Sequence, residues 1–425
     1  MTKLAIVGAG IGGCSAAYFA HKYLPNQNVT IYDSQNRIGG RIQTYNQSGV
    51  TIELGAAFFN CFNKTLLDII KAEQLKITPL KGPQDFAVWN GAKIVFRSNK
   101  QSFATIFRLL AKYQLSLART FLLLRKVRGQ VAKLYQEEQK NPTDFGELFE
   151  SAGLDKWHRT SFLEELIKRG VSQAFINEVI TPLTRVIYSQ NADLGCFAGL
   201  SALIGVYSGP TYSLADGNGS LPVHLTNASK ATVKLGQKVD RIEKTSKGTY
   251  VLTSKTETEV FDNVILATPL ELADIEFDGV SIHCWTPQPY QSVYMRVMRG
   301  ILNPDYFGLK KSAEPPSIML TTKSADPITH FAIKKATNGE SLVTISSTKP
   351  LDINLFNDVF KSNAVTVLEH FWKAAYPIFK PITKLPSTHI DKRFMYINAV
   401  EPSVSSMETS ALSALNAVRL LAKEH

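Results

Sequence analysis

The chain has 425 residues, 44% of them hydrophobic and 20% charged, with a mean hydropathy of −0.05. That composition excludes a disordered or fibrous chain, and the length exceeds that of a usual single domain, so two domains are expected. The formal net charge of +11 suits an anionic surface or ligand. The basic residues are nevertheless dispersed and no nucleic-acid-binding motif occurs, so nucleic acid is not expected as a partner.

The chain opens with the apolar strand Leu4–Val7 and the turn Gly8-Ala9-Gly10-Ile11-Gly12-Gly13, followed by small helix-forming residues. A second apolar strand, Val29–Tyr32, ends on Asp33. Each part suits a dinucleotide: Gly8 permits the sharp turn, Gly10 lets backbone approach a pyrophosphate, and Gly13 lets helix and strand pack closely. Asp33 stands where a carboxylate accepts hydrogen bonds from ribose hydroxyls. The segment Arg37-Ile38-Gly39-Gly40-Arg41-Ile42-Gln43-Thr44 adds a second glycine pair flanked by arginines. Nicotinamide folds have no particular need of it, whereas flavoproteins of the amine-oxidase type wrap a diphosphate with such a segment, an arginine being able to bind phosphate bidentately. FAD is therefore the expected cofactor, with Gly8, Gly10, Gly12, Gly13, Asp33, Gly39, Gly40 and Arg41 as its first contacts. Thr51–Phe58 reads as a strand running into a small-residue turn, where Gly55 and Ala56 would let backbone approach the isoalloxazine ring.

The first apolar run contains the glycine turn, so it is expected to be cofactor domain rather than a leader. No later run has the length and purity of a membrane span. Cys14, Cys61, Cys196 and Cys284 lack CxxC or metal-ligand spacing, and buried reduced thiols without a metal are expected. A cytoplasmic location follows as the expectation. From Phe103 to Val131 the pattern is helical and basic: Arg108, Lys112, Arg119, Arg125, Lys126 and Arg128 interleave with Phe107, Leu110, Leu117, Phe121, Leu122 and Leu124. Such a helix suits either a solvated basic face or peripheral contact with a membrane surface.

Further helix is expected over Phe145–Phe149 and Ser161–Ile180, with Pro182 breaking the run. Gln237–Glu243, including the cofactor candidate Val239, and Thr249–Thr253 alternate as strands, and Asn263–Leu266 is an apolar strand entering a small-residue turn. Ser292–Met298, Thr329–Ile333 and Ser341–Ser346 read as strands, and a helix is expected near Phe356–Ala375. The chain closes with the strand Phe394–Asn398, a turn at Glu401-Pro402 and a helix from Ser410 to Lys423. The fold class is α/β: a doubly wound, Rossmann-like FAD-binding domain (residues 1–80, 216–285 and 386–425) and an α+β substrate domain (81–215 and 286–385).

The run Thr181–Gln190 with Phe197-Ala198-Gly199-Leu200-Ser201 resembles the central segment of the prenylcysteine oxidase (prenylcysteine lyase) family. Tyr396–Glu401 and Ser406–Ala411 are similar to its closing motif, and with Asp216-Gly217-Asn218 the similarity is collinear over nearly the whole chain. The chain departs from the family's usual Tyr-Gly-Gln and Gly-Gly-Asn at Tyr188-Ser189-Gln190 and Asp216-Gly217-Asn218. The resemblance implies that Glu401, Met407 and Glu408 meet the flavin and its phosphates. It also implies oxidative cleavage of S-prenyl-L-cysteine, a lipid thioether, with water and O2 to cysteine, a prenyl aldehyde and hydrogen peroxide. The cofactor carries the hard step, in keeping with the lack of a Ser/His/Asp, paired-carboxylate or metal arrangement. Arg185 and Tyr188 are the polar candidates for substrate or flavin contact, and structural hydrogen bonding is their alternative; His224 and His283 lie near cofactor segments. A single dinucleotide fingerprint favours oxygen over a pyridine nucleotide as electron acceptor. Two other readings stay open: an amine oxidase or polyene desaturase of the same fold, and a flavin-containing lipid-binding protein without turnover. No protein partner is inferable from the sequence.

Overall fold

The computed structural model describes all residues except 48–49, 81–84, 99–110, 114, 208, 283–286, 311–313, 336–339, 362–363 and 425. Phe107, Arg108, Leu110, His283 and Cys284 thus lie outside the described residues.

Thr2–Val7 lies inside a six-stranded sheet, in the spatial order Thr232–Leu235, Gln27–Asp33, Thr2–Val7, Asn263–Leu266, Phe394–Tyr396, His389–Asp391. All neighbours are parallel except the last pair. The pleat sends alternate side chains of the central strand to opposite layers. Leu4 and Ile6 pack on the helices Ile11–Tyr23, Ser220–Ser229 and Met407–Lys423, while Ala5 and Val7 meet Ile242, Tyr250, Leu252 and Phe261 of a smaller four-stranded sheet. Coverage on both faces explains why Leu4–Val7 reads as a continuous apolar run. The helix Ile11–Tyr23 lies close against Met407–Lys423 because both present small residues to the shared core: Ala16, Ala17 and Ala20 on one, Ala411, Ala414 and Ala417 on the other.

A seven-stranded sheet has the order Val365–Pro377, Tyr290–Gly300, Ser341–Ser347, Ile328–Lys335, Ile318–Thr321, Phe86–Trp89, Ile94–Arg97. Phe331, Ile333, Val343 and Ile345 point to an apolar cluster around Trp89, Phe307 and Met319. The alternate residues His330, Ala332, Lys334, Leu342, Thr344 and Ser346 line a cavity on the other face. The helices Leu115–Lys140, Phe145–Ala152, Phe162–Lys168, Thr181–Tyr188 and Cys196–Tyr207 contribute to a further core. The strand Thr211–Leu214 pairs with Phe59–Asn60 and Ile77–Leu80.

Three expectations are corrected. The segment near Phe356–Ala375 is mainly strand: a short helix covers Leu355–Val359, and Val365–Pro377 pairs along Tyr290–Gly300 at the edge of the seven-stranded sheet. Pro182 does not end a helix. Backbone from Gln173 to Tyr188 stays helical through a π turn at Ile176–Ile180, and Pro182 sits in the first turn of Thr181–Tyr188, where that widened turn tolerates its missing N–H. The actual break is at Gly170, whose φ of +71° closes Phe162–Lys168. The last helix begins at Met407 rather than Ser410, because Ser406 and Thr409 form reciprocal cap bonds at its start.

Candidate active site

The carboxyl ends of the parallel strands open onto a cavity of about 1480 Å³. At its floor the turn after Thr2–Val7 is fixed by Gly8 N–H donating to Tyr32 O (2.7 Å) and Gly39 N–H donating to Ala9 O (2.8 Å). The second bond draws the arginine-flanked glycine pair onto the first turn: a Cβ on Gly40 would stand 2.9 Å from Gly10 Cα. Gly8 has a φ of +113°, and a side chain there would meet Ala267 O at 2.6 Å. A Cβ on Gly13 would come within 1.8 Å of Gly8 O, and one on Gly12 within 2.8 Å of Ile397 Cδ1. Gly10 differs, since a Cβ there meets nothing nearer than Gly40 Cα at 3.8 Å. The helix Ile11–Tyr23 starts at Gly10 without a side-chain cap, so its first N–H groups are left for a ligand.

Gly8, Gly10, Gly12, Asp33, Gly40, Arg41, Gly55, Ala56, Val239 and Met407 all line this cavity, which brings together residues from both ends and the middle of the chain. Gly13 and Gly39 stand behind the lining and shape the turns. Asp33 accepts from Ala9 N–H (2.7 Å) and Gln35 N–H (2.8 Å), which holds its carboxylate at the cavity wall.

Arg41 is ion-paired with Glu401 and lies over the Tyr290 ring. Burial alone would disfavour its charge, but Glu401 and the surrounding tyrosines more than offset that and raise its pKa. Glu401 itself is outside the lining. Its carboxylate also accepts from Asn398 Nδ2 (2.8 Å), Ser405 Oγ (3.0 Å) and Tyr290 OH (3.2 Å), so it holds Arg41 in place rather than facing the cavity.

Two further candidates are placed elsewhere. Glu408 is buried and accepts from Thr65 N–H (2.8 Å), Leu66 N–H (3.0 Å) and Tyr135 OH (2.8 Å), tying the last helix to the start of Lys64–Ala72. Its carboxylate lies off the cavity, because those buried donors claim it. Arg185 is 2% exposed and also outside the lining. Its guanidinium reaches Asp326 Oδ1 (2.5 Å), Asn191 Oδ1 (3.0 Å), Thr321 Oγ1 (3.2 Å) and Ile328 O (2.7 Å), clamping Thr181–Tyr188 to the seven-stranded sheet. Tyr188, in contrast, lines the cavity and packs edge-on against Tyr376 and Phe379. Burial raises its hydroxyl pKa. His224 is exposed, 3.7 Å from Asp216, and takes no part in the lining.

Several lining residues carried no recognisable sequence signal. Glu271 and Asn398 each present a buried acceptor oxygen (Oε2 and Oδ1) with no partner among the described residues, and burial raises the Glu271 pKa. A hydroxyl-rich ligand would satisfy both. Trp372 donates to Leu54 O (2.5 Å), fixing the turn before Gly55, and Arg37 lies over its ring at 5.6 Å. Beyond these polar groups the cavity runs to Val186, Ile187, Val293, Met295 and Ile318, an apolar stretch opposite the glycine turns. Among the described residues there is no group of three His, Cys, Asp or Glu able to hold a metal.

Residues 96–425 match the family described as prenylcysteine lyase. The chain belongs to that family. Residues 6–72 match the NAD(P)-binding Rossmann-like domain. Farnesylcysteine lyase of Arabidopsis thaliana is 27% identical over 448 residues, covering 98% of this chain and 87% of that protein. Prenylcysteine oxidase 1 of Homo sapiens is 27% identical over 455 residues, covering 98% and 88%. In fold, a putative protoporphyrinogen oxidase from Exiguobacterium sp. 255-15 superposes with a TM-score of 0.67 at 16% identity, covering 100% of this chain and 99% of the other. Family membership thus extends through the seven-stranded sheet and the last helix, well beyond the glycine fingerprint.

Proposed function

We propose that this chain is an FAD-dependent oxidase that cleaves S-prenyl-L-cysteine to cysteine and a prenyl aldehyde, with O2 as electron acceptor. The observation that carries this reading is the continuity of one cavity from the glycine turns to the apolar stretch at Val186, Ile187, Val293, Met295 and Ile318. Its volume exceeds the ~300–1,000 Å³ of an ordinary small-molecule pocket, leaving space for a dinucleotide and a lipid tail together. Gly8, Gly10 and Gly40 leave backbone free to approach a diphosphate, the N–H groups after Gly10 favour its charge, and Asp33 suits a ribose. Arg41, kept charged by Glu401, adds the positive group beside the second glycine pair. That pair in contact with the first turn favours FAD over a nicotinamide. Gly55, Ala56, Val239 and Met407 complete the cofactor side, and Tyr188 stands on the substrate side.

A bound flavin supplies two-electron oxidation of the carbon attached to sulfur. The chain's own residues position that carbon, cover it with apolar surface and keep bulk water out. Membership in the prenylcysteine lyase family, with relatives named for farnesylcysteine and prenylcysteine, supports the thioether over an amine or polyene. The sheet membership supports a discontinuous cofactor domain (1–80, 216–285, 386–425) and a substrate domain (81–215, 286–385).

Among the described residues no helix is long and apolar enough to cross a membrane. The solvent-facing side of Leu115–Lys140 supports peripheral contact with a bilayer from the cytoplasmic side.

Mixing the purified yellow protein anaerobically with S-farnesylcysteine tests the main reading. Flavin bleaching followed by release of cysteine and farnesal is the expected outcome. A flavin that stays oxidised with prenyl thioethers while an amine bleaches it would overturn the assignment.

A further inference from the structure

His330 is the second residue of a cross-strand pair with Ser346, and both side chains reach the cavity from the middle of the seven-stranded sheet. Their hydrogen bonds suit an imidazole that is bare at Nε2. With Thr329 Oγ1 donating its one proton to Ser346 O (3.2 Å), the same oxygen accepts at His330 Nδ1 (3.3 Å). In that tautomer Nδ1 carries the ring proton, and Nε2 holds a lone pair toward the Ser346 hydroxyl at 3.4 Å.

From this geometry we infer that His330, acting through the Ser346 hydroxyl, is the base that takes a proton from the water added to the oxidised substrate. The inference rests on the thioether reading above, with flavin and dioxygen as the oxidant. Loss of two electrons and a hydrogen nucleus leaves the sulfur-bearing carbon electrophilic. A water oxygen forms the C–O bond there; its proton passes to Ser346 Oγ as the serine proton moves to Nε2. The C–S bond then breaks with its electron pair on sulfur, which takes the imidazolium proton. The remaining hydroxyl proton leaves to solvent as the carbonyl forms. Aldehyde, thiol and one proton are the products, and both hydrogens of the water are accounted for.

The surroundings keep the base in its working state. Burial, then the nearby Arg185 charge, lower the imidazole pKa to about 4. Arg185 is held there by Asp326, and Lys334 stands further along the same strand. A weak base suffices, because the carbon it serves is a strong electrophile. Arg185 acts on His330 through its charge alone, from off the cavity.

The test separates oxidation from hydrolysis in His330→Asn and Ser346→Ala. Anaerobic single turnover with S-farnesylcysteine should bleach the flavin at close to the wild-type rate in both. Farnesal release in the same turnover should slow by roughly 10²-fold in His330→Asn and less in Ser346→Ala. Independently, ¹⁵N-histidine spectra of the wild-type holoenzyme should show His330 neutral at pH 7 with the proton on Nδ1. Unchanged aldehyde release in both variants, or an imidazolium at pH 7, overturns the inference while leaving the thioether reading intact. A wild-type flavin that does not bleach overturns the thioether reading and this inference with it. Should His330→Asn lose its flavin, the serine variant and the spectra decide.

Discussion

Two glycines of one turn are constrained by different things. Gly13 has no room at all, with Gly8 O where a Cβ would sit, whereas Gly10 has a φ of −74° that any residue adopts and open space before it. Gly10→Val should therefore fold and melt cooperatively but purify colourless, since its side chain occupies ligand space. Gly13→Ala should lose roughly 1–3 kcal/mol or more from overpacking. Full flavin content in Gly10→Val would remove the turn from the cofactor site. Buried histidines set a second expectation at this scale. His158, His330 and His370 all have pKa values lowered by burial, His330 to about 4 against an ordinary 6.5. Between those values the unfolded chain binds protons that the native protein does not, so stability is full above pH 6.5 and falls as pH drops toward 4. His330→Asn should flatten the slope of urea midpoint against pH in that window, and an unaltered slope would contradict the burial argument.

At the scale of elements, legibility in the sequence followed how much of a segment's environment is local. The strand Leu4–Val7, its glycine turn and the acid at Asp33 were readable because one short run carries strand, turn and ligand chemistry together. The edge strand Val365–Pro377 was not. Its outward positions include Phe371, 48% exposed and stacked on Tyr294 at 4.5 Å, so apolar residues fall on both faces and mask the period of two. The pattern that reveals it is the half-buried set His370, Trp372 and Ala374 alternating with the exposed Glu369, Phe371 and Lys373. The π turn before Pro182 was equally hidden, since proline reads as a stop unless the preceding turn is known to be widened. Arg185 and Glu408 show the same limit for side chains. Both are polar residues within specific motifs, and each is engaged by a partner far away in sequence, Asp326 at 141 residues from Arg185 and Thr65 at 343 from Glu408. His330 lacked a motif altogether, because its meaning comes from Ser346 on the neighbouring strand.

At the scale of the whole molecule, a prenyl tail has to reach the cavity from the phase into which it partitions. The helix Leu115–Lys140 buries Leu123, Leu124, Val127 and Leu134 in the helical core, yet its outer side leaves Leu115, Phe121 and Leu122 each more than 60% exposed. Arg125 and Lys126 are exposed beside them. Large apolar side chains interleaved with cations on one helix face suit an anionic bilayer, into which the apolar groups insert while the charges meet headgroups. A prenylated substrate partitions into that same phase, so docking there would bring enzyme and tail together. The expected measurement is sedimentation with phosphatidylserine-containing vesicles: binding that weakens between 0.1 and 1 M salt, as the screening length falls from ~10 to ~3 Å. Phe121→Glu with Leu122→Glu should reduce binding at least tenfold at low salt, because both apolar insertion and charge attraction are lost. Turnover of S-farnesylcysteine free in solution should be unaffected, since neither residue lines the cavity. Equal vesicle binding by the double variant and the wild type would show that this face meets solvent only.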